Sequence, residues 1–213
     1  MPIIESLPVG PLQTNCYLLG DEATRACAII DPGDEPETIA RAIARRDLRP
    51  ALILLTHAHF DHIGAVGALR ERYGARVGIS EIEAPFLADA RLSGAELFGF
   101  SFEPSRADFT IAEGDQLRVG ELTLTALETP GHSPGGLSYL GGTFVFVGDV
   151  LFRDGIGRYD LPGASSLVLA RSLERLLALN GDTTVYPGHG PATTITREAR
   201  MNPHLAFLGI GGR

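Results

Sequence analysis

Residues Leu54–Gly64 read LLTHAHFDHIG and crowd three histidines and an aspartate into the six positions from His57 to His62. The run before them, Ala51–Thr56, is apolar through Leu55, the pattern of a strand buried on both faces. His57 and His59 lie two apart, so on extended backbone both point the same way. Asp61 and His62 follow where the chain must turn into a helix expected from about Ile63. A lone histidine in such a place serves as a core or capping residue. Four donors together are another matter, because their desolvation demands a strong partner. A divalent ion such as zinc or iron supplies one, since it accepts imidazole and carboxylate readily.

Outward from this stretch, short apolar runs recur, each bounded by Gly, Pro or Asp. They predict strands over Asn15–Gly20, Ala26–Asp31, Arg76–Ser80, Glu121–Glu128, Leu137–Leu140, Thr143–Gly148 and Thr183–Tyr186. Helical periodicity falls between them, over Glu35–Arg46, Ile63–Tyr73 and Ser165–Leu179. The last of these has Leu167, Leu169, Leu173, Leu176 and Leu177 as its apolar stripe. Strands and helices are mixed along the whole length with no low-complexity linker, so one α/β domain over residues 1–213 is expected. Pro85–Phe109 fits no period. Its Phe86, Phe98, Phe100, Phe102 and Phe109 read as core residues or as a flap over a site.

Two later histidines repeat one pattern. TPGHSPGG (Thr129–Gly136) places His132 behind the Glu121–Glu128 run, and VYPGHG (Val185–Gly190) places His189 behind Thr183–Tyr186. FVFVGD ends a further strand in Asp149. The candidate donors His57, His59, Asp61, His62, His132, Asp149 and His189 thus all follow the carboxyl ends of apolar strands, the edge where α/β sheets build their sites. His204, in MNPHL, has no such setting and reads as structural.

Composition narrows the chemistry. A 44% apolar chain with a net charge of −8 is globular and lacks the basic face a nucleic acid would need. All eighteen basic residues are arginine, which excludes a Schiff-base lysine, a lysine general base and a Walker-type phosphate loop. No apolar stretch is long enough to cross a membrane, and the start MPIIESLPVG lacks the features of a signal peptide. Cys16 and Cys27 read as buried free thiols, so a cytoplasmic location is expected.

The THAHFDHIG element (Thr56–Gly64), followed by a Gly-His, a strand-ending Gly-Asp and a second Gly-His, resembles the metallo-β-lactamase superfamily from Ala26 to about Pro203. That resemblance implies a four-layer αββα sandwich with metal at one edge of its two sheets. Within the superfamily, GDVLFRDGIGRYDLPG (Gly148–Gly163) and YPGHGPATTITREARMNPHL (Tyr186–Leu205) are similar to the glyoxalase II (hydroxyacylglutathione hydrolase) group. The match is to its short single-domain members, which lack the helical C-terminal domain that helps grip glutathione in longer ones.

By position, the resemblance puts one divalent ion on His57, His59 and His132 and a second on Asp61, His62 and His189, with Asp149 bridging both. Zinc is the expected metal, with iron or manganese as alternatives. A metal-bridging hydroxide would attack the carbonyl of a glutathione-linked thioester, with Asp61 orienting it as the catalytic residue. A thiol leaving group suits a site without an obvious general acid. Arg158 occupies the family's basic position in the glutathione loop, with Arg153 and Tyr159 as further substrate contacts. Two readings share these residues: a persulfide dioxygenase with one iron on His57, His132 and Asp149, and a lactonase. The common class of metallo-β-lactamase with a cysteine ligand does not fit, because both cysteines precede the motif.

Overall fold

The computed structural model of the chain describes residues 1–207 and residue 210. It opens with β1 (Pro2–Val9), β2 (Thr14–Asp21) and β3 (Ala26–Ile30), then α1 (Pro36–Arg45) and β4 (Arg49–Leu54). Next come α2 (Phe60–Ile63), α3 (Val66–Tyr73), β5 (Arg76–Ser80), a 3-10 turn at Ala84–Ala88, α4 (Ala95–Phe98) and β6 (Phe109–Ile111). The second half runs β7 (Gln116–Val119), β8 (Leu122–Glu128), β9 (Leu137–Gly141), β10 (Phe144–Gly148) and the small hairpin β11 (Leu151–Phe152) and β12 (Gly155–Ile156). It closes with α5 (Ser166–Leu177), β13 (Thr184–Pro187), β14 (Thr193–Thr194), α6 (Ile195–Met201) and α7 (Pro203–Phe207).

β4 lies between β3 and β5 and runs parallel to both, inside a six-stranded sheet of order β1-β2-β3-β4-β5-β6. Its side chains divide as the pleat requires. Ile53 joins a core with Ile39 and Ile43 of α1 and Leu69 of α3, whereas Leu54 joins a core with Leu124, Tyr139 and Phe146 of the second sheet. That second sheet, of order β14-β13-β10-β9-β8-β7, turns its far face to a third core with Leu169, Leu173 and Leu176 of α5. Helices, sheet, sheet, helices: the αββα sandwich follows from strands that bury both faces.

The predicted strands recur with ends shifted by a residue or two. The helix expected over Ile63–Tyr73 is instead two helices. Ala65 N–H donates to Pro32 O at 2.9 Å, outside any helical ladder, so α2 and α3 separate there. α2 also begins earlier, at Phe60, which puts Asp61 and His62 on the helix rather than before it. In α5, Leu167 is 64% exposed and so leaves the predicted apolar stripe. It sits two residues from Leu169, about 200° around the axis. β1 gave no strand signal because Pro2 and Pro8 interrupt it; Pro is tolerated there because β1 is an edge strand paired only with β2.

The sheets are pinned to each other at the edge that matters. Tyr139 donates its hydroxyl to Leu55 O at 2.6 Å, just before the histidine-rich loop. From β2, Tyr17 donates to Pro187 O at 2.7 Å and Asn15 to Pro187 O and Gly190 O at 3.0 and 2.8 Å, fixing the loop that carries His189. Among the described residues no helix is long and apolar enough to cross a membrane.

Candidate metal centre

All seven predicted donors meet at this shared edge. His57, His59 and His132 bring ligand atoms within 4.8 Å of one another, and Asp61, His62 and His189 do the same. Asp149 stands between the triads. Its carboxylate oxygens lie 3.4 Å from His62 Nε2, 3.5 Å from His189 Nε2 and 3.7 Å from His132 Nε2. His57 and His59 converge from the loop that follows β4, and His59, whose backbone is extended, is the residue that precedes α2. The approach is too close for larger residues in the backbone between. A Cβ on Gly188 would fall 2.0 Å from Asp149 Oδ1 and 2.8 Å from the His62 ring. On Gly148, where φ is +51°, it would meet the Thr56 hydroxyl at 2.3 Å.

The hydrogen bonds around the cluster decide which ring nitrogen faces inward. Thr56 gives its hydroxyl proton to Asp31 at 2.6 Å, so its oxygen accepts from Nδ1–H of His57 at 3.0 Å. Nδ1–H of His62 donates to Asp31 at 3.1 Å, that of His132 to Arg158 O at 2.9 Å and that of His189 to Leu12 O at 3.1 Å. Four imidazoles therefore aim Nε2 at the centre, with orientation set from behind as metal-binding histidines require. His59 faces it with Nδ1, 2.9 Å from His132 Nε2. Nε2 of His57, Nε2 of His62 and Oδ1 of Asp149 are buried without a hydrogen-bond partner. Buried polar atoms are rarely left so, and a pair of divalent ions is the partner this donor set fits.

The two halves of the cluster hold their protons differently. Burial drives His57 well below the ordinary histidine value and, with His132 and His62 nearby, takes His59 down to about 4. Burial would also lower His62 and His189, but Asp61 and Asp149 outweigh it, raising His62 and holding His189 up at about 9. In return His62 and His189 outweigh the burial of Asp61 and bring it to about 2, and they hold Asp149 well below the carboxylate range.

The centre opens into a cleft of about 910 Å³. Arg158 lines it, while Arg153 and Tyr159 lie exposed outside its wall. The irregular stretch between Pro85 and Phe109 divides by side chain. Phe86 and Phe102 pack on the helix-side core and Phe109 on the core between the sheets, but Phe98 and Phe100 form part of the cleft wall.

A family model described as the metallo-beta-lactamase superfamily matches residues 9–189, most of the chain and all seven donors. The chain belongs to the metallo-beta-lactamase superfamily. Among its relatives, the probable metallo-hydrolase YqgX of Bacillus subtilis is 44% identical over 93% of this chain and 95% of that one. The hydroxyacylglutathione hydrolase GloC of Haemophilus influenzae is 38% identical over 95% of this chain and 97% of its own. Two solved structures superpose closely. BLEG-1 B3 metallo-beta-lactamase does so with a TM-score of 0.91 at 39% identity, covering 95% of this chain and 99% of that one. TTHA1623 in a di-iron-bound form does so at 0.86 and 44% identity, covering 94% and 100%.

Three residues that position the superfamily donors escaped the sequence reading. Asp31 collects Thr56 and His62 from behind, Thr14 donates to Asp61 at 2.9 Å, and Glu83 is fully buried. Glu83 accepts from Ala58 N–H at 2.6 Å and Gly135 N–H at 2.9 Å, joining the His57–His59 loop to the loop after His132. A strand-ending Asp31 beside Pro32 looked like any turn residue. Only its register beside β4 gives it a role.

Proposed function

We propose that this chain is a metal-dependent thioester hydrolase of the hydroxyacylglutathione hydrolase type. The observation that carries the reading is the completeness of both donor triads around one shared aspartate, each open to the same cleft. In this reading His57, His59 and His132 hold one ion, Asp61, His62 and His189 hold the other, and Asp149 serves both. When bound, two ions so held would supply hydroxide at neutral pH and polarise a carbonyl.

The chain's own residues do the rest. Asp61, kept ionised and fixed by Thr14, accepts a hydrogen bond from the attacking oxygen and orients it. The cleft admits the thioester, and Arg158 faces an anionic carrier such as glutathione. The 38% identity to GloC supports glutathione as that carrier. The likeness to a structure named as a B3 metallo-beta-lactamase makes β-lactam hydrolysis an activity to assay beside thioester loss, because the positions of the two cysteines exclude only enzymes with a cysteine ligand. The likeness to a di-iron-bound structure makes the metal something to measure.

The test is metal content of protein purified without chelator, with paired assays of thioester loss and oxygen uptake. Close to two metal ions per chain, thioester turnover and no oxygen uptake are expected. One tightly bound iron, with the second site empty in excess zinc or manganese and oxygen consumed, would overturn the reading in favour of a persulfide dioxygenase.

A further inference from the structure

Ten large apolar side chains stand exposed among the described residues, and five of them, Leu12, Leu92, Leu97, Phe98 and Phe100, line the cleft of about 910 Å³ beside the metal donors. Apolar side chains scattered singly over a surface need no explanation; half of those exposed here gathered in one concave cleft do. The wall is anchored to the donors themselves. Phe60, between His59 and Asp61, stacks on Phe100 with ring centroids 4.6 Å apart and 24° between the planes, and Phe98 packs beside it at 5.7 Å. Phe60 N–H donates to Ser93 O at 3.0 Å, and the Asp89 carboxylate accepts from the N–H groups of Arg91 and Leu92 at 2.8 and 3.2 Å. Left-handed glycines at Gly94 (φ 82°) and Gly99 (φ 72°) then turn α4 so that Leu97 and Phe98 face the cleft.

Charge on this side is scarce. Arg91 and Glu96 both line it and approach each other to 4.0 Å, so neither sign prevails. Arg158 lines the cleft from a different segment, the loop after Asp149, with Phe152, Ile156, Leu161 and Pro162 of that loop beside it. A carbonyl at the donors sends its two substituents in different directions, and the two walls ask for different chemistry. The loop wall offers a guanidinium to the carrier. The aromatic wall sets a single, self-paired Arg91 and Glu96 beside much apolar surface, which suits a large apolar acyl group better than a short hydroxyacyl one.

We propose that the wall formed by Leu97, Phe98 and Phe100 binds a bulky apolar acyl group, an aromatic ring or a medium-length alkyl chain. The substrate is then an acyl thioester larger and more apolar on its acyl side than a lactoyl group. This rests on the thioesterase reading and names its acyl specificity.

The experiment uses metal-loaded full-length protein and glutathione thioesters that differ only in their acyl group: lactoyl, acetyl, octanoyl and phenylacetyl. A parallel set of the same acyl groups on N-acetylcysteamine varies the carrier. Octanoyl or phenylacetyl should exceed acetyl by about tenfold or more in kcat/KM, the scale of apolar pocket discrimination. The same preference should hold on both carriers. The double variant Phe98→Ala and Phe100→Ala should compress the octanoyl-to-acetyl ratio severalfold, and Leu97→Ser, at an exposed position, gives the same readout if the double variant does not fold. Thioester turnover with lactoyl or acetyl preferred, or a ratio that neither variant moves, overturns the proposal while leaving the thioesterase reading intact. No turnover of any thioester by a protein carrying two metals sinks the thioesterase reading and this proposal with it.

Discussion

Arg158 and Asp160 form a two-pronged ion pair, in which Nε and Nη2 of the guanidinium donate to the two carboxylate oxygens at 2.9 Å each. The side chains are 59% and 64% exposed, so the pair is weak and an anionic ligand competes for it on fair terms. If Arg158 reads the carrier, Arg158→Ala should lower kcat/KM for glutathione thioesters by about tenfold, the scale of one charge-assisted hydrogen bond. Small neutral thioesters should lose less. Asp160→Asn frees the guanidinium and should improve the glutathione substrates. Equal losses on both substrate sets would show that the pair serves the loop and not the ligand.

His189 separates the two metal stoichiometries. Its Nε2 lies 3.2 Å from Asp61 and 3.5 Å from Asp149, and its Nδ1–H donates to Leu12 O at 3.1 Å. His189→Ala should empty the second metal site and collapse thioester turnover while His57, His59 and His132 keep the first ion. With a single catalytic iron, the same change would leave iron content nearly intact and cut oxygen uptake by about 10–100-fold at most. Metal analysis and both assays, on wild type and variant together, distinguish the outcomes. A variant with full thioesterase activity would refute the second site.

Metal loading should release protons unequally. In the metal-free protein His57 and His59 are held neutral by burial, whereas His189, at about 9, and His62 are held protonated by Asp61 and Asp149. At pH 7 the first triad therefore binds without shedding protons, and the second must shed them. Affinity of the second ion should weaken steeply as pH falls from 9 to 6, with the first far less sensitive over that range. Titration calorimetry in buffers of different ionisation enthalpy measures the proton count for each step; equal release at both steps would contradict the assignment.

Glu83 holds the first triad together from beneath. Glu83→Ala leaves the N–H groups of Ala58 and Gly135 buried without an acceptor, at a cost of about 1–3 kcal/mol each. Urea unfolding should show that loss, and the affinity of the first metal should fall with it. Glu83→Gln retains one acceptor oxygen and should recover part of both. A Glu83→Ala protein with unchanged metal affinity would limit Glu83 to fold stability.

Both thiols should be silent in the native protein. Burial raises Cys16 and pushes Cys27 up to about 12. The folded state therefore keeps its thiols protonated while unfolded chains ionise them near pH ~8.5. That difference weakens folding as pH rises above ~8.5 toward 12. Alkylation at pH 8 should label neither thiol in native protein and both in urea, and the urea midpoint should fall between pH 9 and 11. Rapid labelling of either native thiol would disprove the burial argument.

What the sequence by itself determined here is local. Apolar runs closed by Gly, Pro or Asp place strands, and the donors that follow them, His57 through His62, His132, Asp149 and His189, stand out because ionisable groups at the end of buried runs need a partner. The tertiary structure alone decided which atoms of those residues face one another. Asp31, Thr14 and Glu83 act through neighbours 25 to 52 positions away in the chain, across sheet register and loop contacts that no local pattern encodes. The same holds for the aromatic residues of the irregular stretch. Phe86, Phe98, Phe100 and Phe102 have equivalent apolar chemistry, and only the packing of that segment against α2 turns two of them into the cleft and two into the core. Side-chain type is written in the sequence, but facing direction is set by the backbone of distant elements, because hydrogen bonds and packing act through space.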